Sequence, residues 1–157
     1  MSERTDPRNP ALSPLAEFYG YAGIAPFLLA ALGTALLPEH AGRSLAQQIA
    51  VGYGAVILTF VGAVHWGLAV GGRLPASLPV YTGAIFPAVV GTVAILLGGQ
   101  RALALLAVGF GLFWLYEHRR LGLELPADYL RLRRNLTVAV CALLTLTMIV
   151  SESVGLR

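Results

Sequence analysis

Apolar residues in this chain run in long blocks separated by short polar or glycine- and proline-containing joints. The first block extends from about Phe18 to Leu37 and is interrupted only by Pro26. The second covers about Ile49 to Val70, and the third about Leu78 to Leu97 with Pro87 inside it. A fourth, Ala102 to Tyr116, has only 15 residues, and the fifth runs from about Leu136 to Val154. A hydrocarbon layer of about 30 Å takes about 20 helical residues to cross. Backbone N–H and C=O groups in lipid must be paired within their own segment, and none of the blocks alternates as a barrel strand does, so each reads as a helix. The pattern predicts an all-α integral membrane bundle of five transmembrane helices, at about 18–37, 49–70, 78–97, 102–116 and 136–154. Residues 1–14, with Pro7, Pro10 and Pro14, read as a disordered tail, and 15–157 as one transmembrane domain. The first block is longer than the apolar core of a cleaved signal, so it reads as a retained span. The short fourth block crosses if Gln100, Arg101 and Glu117 snorkel at its ends.

Composition removes the main alternatives. Charged residues are 12% of the 157, against about 25% in an ordinary soluble domain, and hydrophobic residues are 57%. A soluble surface cannot be covered from that stock, and a disordered chain would be richer in charge. The net charge is +3, carried by 11 arginines and no lysine. Because these arginines border apolar spans, anionic lipid headgroups are the expected partner and nucleic acid is not. With five spans, Arg4, Arg8, Arg73, Arg119, Arg120, Arg131, Arg133 and Arg134 fall on one side, and Arg43, Arg101 and Arg157 on the other. The positive-inside bias then places the N-terminus in the cytoplasm and the C-terminus outside. Tyr19, Tyr21, Trp66, Tyr81, Trp114, Tyr116 and Tyr129 gather toward the same basic side, with Tyr53 alone toward the other. Such a skew reads either as a one-sided anchoring belt or as rings lining a cavity open to that side. The single Cys141 lies in an apolar run and reads as a packed thiol, with no disulfide framework in the chain.

Small residues recur at helix-packing spacing: Gly83, Pro87 and Gly91 in the third block, Gly67 and Gly71 at the end of the second, Ala107 and Gly111 in the fourth. Where lipid supplies no hydrophobic drive, such residues let helices approach closely. His65 stands out among the polar groups. It lies about 8 Å inside the end of the second helix at 1.5 Å per residue, on a face shared with Gly54, Leu58, Val61, Gly62, Ala69 and Gly72. A titratable group at membrane depth is a functional-site candidate. The plainer reading is a neutral imidazole hydrogen-bonded across the bundle to a tyrosine, threonine or carbonyl. The candidate intramembrane site is therefore His65 with Trp66, Gly62 and Gly67. Glu17, Glu117 and His118 lie near the same interface, but no pair has metal-ligand spacing, so no metal site is assigned. Pro126 opens an interfacial helix at about 126–135 that continues into the fifth span, with Arg119, Arg120, Tyr129, Arg131, Arg133 and Arg134 as headgroup contacts. No nucleophile-elbow, phosphate-loop, dinucleotide or zinc motif is present, so no catalytic residue and no cofactor is assigned.

Three blocks resemble one family. GYAGIAPF at 20–27 resembles its G-x-x-G-x-x-P-F pattern, and YGAVILTFVGAVHWG at 53–67 its YGAxILSFxGGxHWG signature. LPADYLRLRRNLT at 125–137 is similar to its P-x-W-Y-x-x-L-R-x-x-L-T block. The family is that of domain of unknown function 3429, which includes transmembrane protein 69 and its bacterial relatives. Asp128 stands where the family often has tryptophan, and Thr59 and Ala63 replace a serine and a glycine. The resemblance implies a multi-span membrane protein and brings no catalytic residues. It gives weight to Gly54, Gly62, His65, Trp66, Gly67, Tyr129, Arg131 and Arg133. The leading functional expectation is a non-enzymatic accessory or scaffold protein of a bacterial inner membrane, acting through lipid and helix contacts with a membrane-protein partner or a second copy. The alternatives are a small proton-linked carrier centred on His65, or a membrane enzyme or binder of a lipid or quinone opening to the cytoplasmic leaflet.

Overall fold

A computed structural model describes residues 12–155 of the chain, all-helical apart from short joints. Its helices are α1 (Pro14–Ala22), α2 (Ala25–Leu36), α3 (His40–Val70), α4 (Leu78–Leu97), α5 (Gly99–Leu121) and α6 (Ala127–Gly155). Counting α1 and α2 as one segment, five are long and apolar enough to cross a membrane. The disordered tail expected at 1–14 lies outside the described residues up to position 11. Residues 12–14 are described, and Ser13 caps α1, its Oγ accepting from Ala16 N–H at 3.2 Å with Pro14 in the first helical turn.

The first apolar block is two helices, not one. Pro26 has no N–H to donate and its ring crowds the preceding turn, so the helix ends at Ala22 and restarts at Ala25. The carbonyl of Gly23, left free at this break, accepts the Tyr53 hydroxyl from α3 at 3.1 Å. α3 starts nine residues earlier than the apolar pattern implies, because His40 to Gln48 form a polar helical extension. The fourth block is the middle of the 23-residue α5, about 35 Å long at 1.5 Å per residue, so it needs no thinned bilayer. Gly98 and Gly99, at φ 61° and 56°, make the abrupt α4–α5 turn in a backbone region that side chains disfavour.

α3 is the central helix, in contact with α2, α4, α5 and α6, while α1 rests on α6. Phe27, Leu58, Leu103, Leu106, Phe110 and Leu144 are the large buried side chains of the core. On α3, Gly54, Leu58, Val61, Gly62, His65 and Ala69 are all buried, so this face inferred from the sequence is turned into the bundle, whereas Gly72, expected on it too, lies past the end of α3 and is exposed. Gly62 sits against the Ala84 carbonyl and the Pro87 ring, and Gly91 against the Ala55 backbone, so small residues on α3 and α4 do permit a close crossing. Gly67 and Gly111 have no neighbour within 4 Å of where a Cβ would stand and make no such contact.

The helix expected at 126–135, continuing into the fifth span, is the first part of α6, which runs without interruption to Gly155. Its Leu132 is buried beside Gly20 of α1, and its Arg133 is buried as well. Here the charge of Arg133 is matched from α5, and that allows the helix to carry it inward.

Candidate functional site

The charge that matches Arg133 is Glu117. Both ends of the pair are dictated by helical periodicity. On α5, Phe113, Tyr116 and Glu117 share one face at i, i+3, i+4; on α6, Tyr129, Arg133 and Thr137 share one at i, i+4, i+8. The two faces meet beneath His65 of α3. Glu117 is completely buried, as is His65. One carboxylate oxygen, Oε2, accepts from Arg133 Nε at 3.1 Å. The other, Oε1, accepts the Tyr129 hydroxyl at 3.0 Å and lies 3.3 Å from His65 Nε2. The imidazole is within ion-pair distance of the carboxylate but off the line a hydrogen bond requires. Phe113 and Tyr116 meet the imidazole edge-on, at ring centroids 5.3 and 6.4 Å away. A carboxylate this far from water persists only when its lone pairs are satisfied and its charge is matched, and Tyr129 and Arg133 of α6 do that here.

The expected site is brought together only in part. His65 and Gly62 face the interior. Trp66 is half exposed and meets Tyr81 edge-on, and Gly67 is exposed with open space around it. The imidazole makes no hydrogen bond to a tyrosine, threonine or carbonyl of the described residues, the contact that the plainer reading of the sequence expects; its polar neighbour is a carboxylate. Among the headgroup candidates, Arg119, Arg120, Arg131 and Arg134 are exposed. Arg133 is not, and its assignment to the lipid surface is corrected: the guanidinium is held inside by Glu117. Tyr129 also turns inward to the same carboxylate. Arg131 pairs locally with Asp128 at the surface, and His118 stacks on Trp114. No group of three metal-ligating side chains gathers among the described residues.

Sequence reasoning places Glu117 at the interface, as a snorkelling end of a short span and beside Glu17 and His118, but does not join it to His65 and Arg133, and it does not single out Thr137. A signal was available. Two oppositely charged residues each sit on a stripe of aromatic and small polar residues at four-residue spacing, in the last turns of one apolar block and just ahead of the next.

Beside the cluster, α1, α3 and α6, with Phe27 of α2 and Phe110 of α5, line a half-open cavity of about 460 Å³. Its walls are apolar, with Phe27, Ile57, Val61 and Leu136 among them, and its outer lip carries the exposed rings of Tyr19 and Phe60. Three of its wall residues, Tyr129, Arg133 and Thr137, form the polar stripe of α6. Arg133 Nη2 and Thr137 Oγ1 are buried and have no hydrogen-bond partner among the described residues. Two of the seven aromatics skewed to the basic side, Tyr19 and Tyr129, therefore border this cavity, while the exposed Trp66 pairs with a partly buried Tyr81. A polar cleft with Glu17, Tyr21, Arg131 and Asn135 shares Leu12 and Leu132 with this cavity.

Five long apolar helices around a buried histidine–carboxylate–guanidinium cluster make this a small multi-pass helical membrane protein. The chain belongs to the family described as Protein of unknown function (DUF3429), whose model matches residues 12–149. No curated protein and no solved structure matches it. The three sequence blocks that carry the resemblance supply most of the cavity wall. Gly20, Gly23 and Phe27 come from the first, Ile57, Val61 and Val64 from the second, and Leu132, Arg133 and Thr137 from the third.

Proposed function

We propose that this protein is a non-enzymatic membrane accessory protein that holds a lipophilic molecule in the α1–α3–α6 cavity. The observation that carries the reading is the pairing of an apolar cavity on the lipid-facing side with buried, unpartnered polar atoms on its α6 wall. Ligand sites are mostly apolar with a few polar groups that orient the occupant, and unpaired buried donors cost stability until something engages them. Val64 forms part of the wall and is only half buried, so Val64→Trp fills the space without touching the charged cluster. Lipid extracts of protein purified in mild detergent test the idea. The wild type is expected to retain one class of lipophile enriched over the bulk membrane, and Val64→Trp, at similar thermal stability, about fivefold less of it. An extract that mirrors bulk lipid, or equal retention by both proteins, counts against a binding role.

The same reading gives the exposed arginines a place. Arg119, Arg120, Arg131 and Arg134 surround the basic end of the bundle, and their natural partners are anionic headgroups of the cytoplasmic leaflet of a bacterial inner membrane. The arginine asymmetry supports a cytoplasmic N-terminus. Reporter fusions after Ser44 are expected to report outside, and those after Arg73 and Arg120 inside. An outside signal at Arg120 reverses the orientation. A membrane-protein partner or a second copy would dock on the remaining apolar exterior.

A further inference from the structure

We propose that the occupant of the α1–α3–α6 cavity is an uncharged lipophile whose head carries a hydrogen-bond-accepting carbonyl, received by the Arg133 guanidinium and the Thr137 hydroxyl. The inference deepens the binding role above and rests on it. Two observations define the head. First, among the described residues, the buried unpartnered atoms that belong to residues of this wall are Arg133 Nη2, which can only donate, and Thr137 Oγ1, which can donate or accept. They are one helical turn apart on α6, so a single carbonyl oxygen with two lone pairs is the natural complement. A second cleft of about 530 Å³, between α4 and α5, offers a contrast: none of the buried unpartnered polar atoms belongs to a residue of its wall. That cleft suits a bare hydrocarbon chain, whereas the α6 cavity selects a head.

Second, charge arithmetic sets the sign of the head. Glu117 and Arg133 carry opposite charges and match each other. A carboxylate or phosphate head beside Arg133 would bring a second negative charge next to Glu117 in a water-poor site. Arg133 is the one charged residue among the described residues of this wall and is already matched by Glu117, so such a head would lack compensation. A neutral carbonyl needs no such compensation. A tailed quinone and a neutral glyceride both present this chemistry.

The closing experiment measures equilibrium binding to the protein in lipid nanodiscs, with empty discs subtracted, for four probes. They are decyl-benzoquinone, didecanoyl glycerol, dodecanoate and dodecylbenzene. The expectation is that at least one carbonyl probe binds about tenfold more tightly than dodecylbenzene and than dodecanoate; which of the two carbonyl probes is tighter identifies the source. Thr137→Val keeps the shape and removes the hydroxyl. It is expected to weaken the carbonyl probe about fivefold while leaving dodecylbenzene unchanged. Thr137→Ser is expected to restore binding and so separates the hydroxyl's role from packing. Dodecylbenzene binding as tightly as the carbonyl probes, dodecanoate binding best, or no effect of Thr137→Val each overturns the carbonyl assignment while leaving a lipophile site in place. If none of the four probes distinguishes wild type from Val64→Trp, the binding role itself fails.

Discussion

Glu117→Ala is expected to destabilise the bundle by about 3–5 kcal/mol, the usual cost of removing one member of a buried ion pair. The loss is not that of one salt bridge. Arg133 is buried, and without the carboxylate its Nε loses the acceptor at 3.1 Å and its charge has no counterpart. Tyr129 simultaneously loses the acceptor of its hydroxyl at 3.0 Å. Glu117→Gln should fall between, because an amide oxygen can still accept from Arg133 or Tyr129 but carries no charge. The double variant Glu117→Met with Arg133→Leu is expected to recover most of the stability, since replacing both members of such a pair by apolar groups is often neutral or favourable. Unfolding curves in mixed detergent micelles measure all three. Near-additive losses in the double variant would mean that the two side chains do not act as a pair. If the double variant is stable but no longer retains the lipophile, the cluster is kept for its ligand and not for its contribution to folding.

The physical reasons for what the sequence disclosed are specific. Block length and apolar content mark four of the five segments as spans, because lipid forbids unpaired backbone in any other form; the 15-residue fourth block falls short because polar residues at both ends of α5 hide its full helical length. The buried face of α3 was legible from Gly54, Gly62, His65 and Ala69, since small residues at helical spacing mark a close approach. What was not legible is which polar groups converge. Glu117 and Arg133 are 16 residues apart across a turn, and each looks, by itself, like an ordinary charge at a membrane boundary. Only the meeting of α5 and α6 turns both inward. The same holds for Gly67, whose spacing to Gly71 matches that of a packing motif but whose face looks outward. Spacing identifies a stripe; the neighbouring helix decides whether the stripe is used.

The contrast between Gly62 and Gly67 turns that point into a measurement. A Cβ at Gly62 would stand 2.7 Å from the Ala84 carbonyl oxygen and 2.9 Å from Pro87 Cγ. Neither can move aside easily: the carbonyl is helix backbone, and the proline ring is fixed within α4. Gly62→Ala must therefore push α3 and α4 apart, at a cost of about 1–3 kcal/mol for over-packing, and Gly62→Val should cost more because its branched side chain has no room to rotate away. His65 is one turn along the same face, so the separation also alters its approach to Glu117, now 3.3 Å. At Gly67, open space surrounds the position, and Gly67→Ala should be neutral or slightly stabilising, as alanine is the better helix former by about 1 kcal/mol. Thermal unfolding of the two alanine variants in the same detergent gives the comparison directly. A Gly62→Ala protein as stable as wild type would show that the α3–α4 crossing has slack at this point, and the close approach could then not be what holds His65 against the α5 carboxylate.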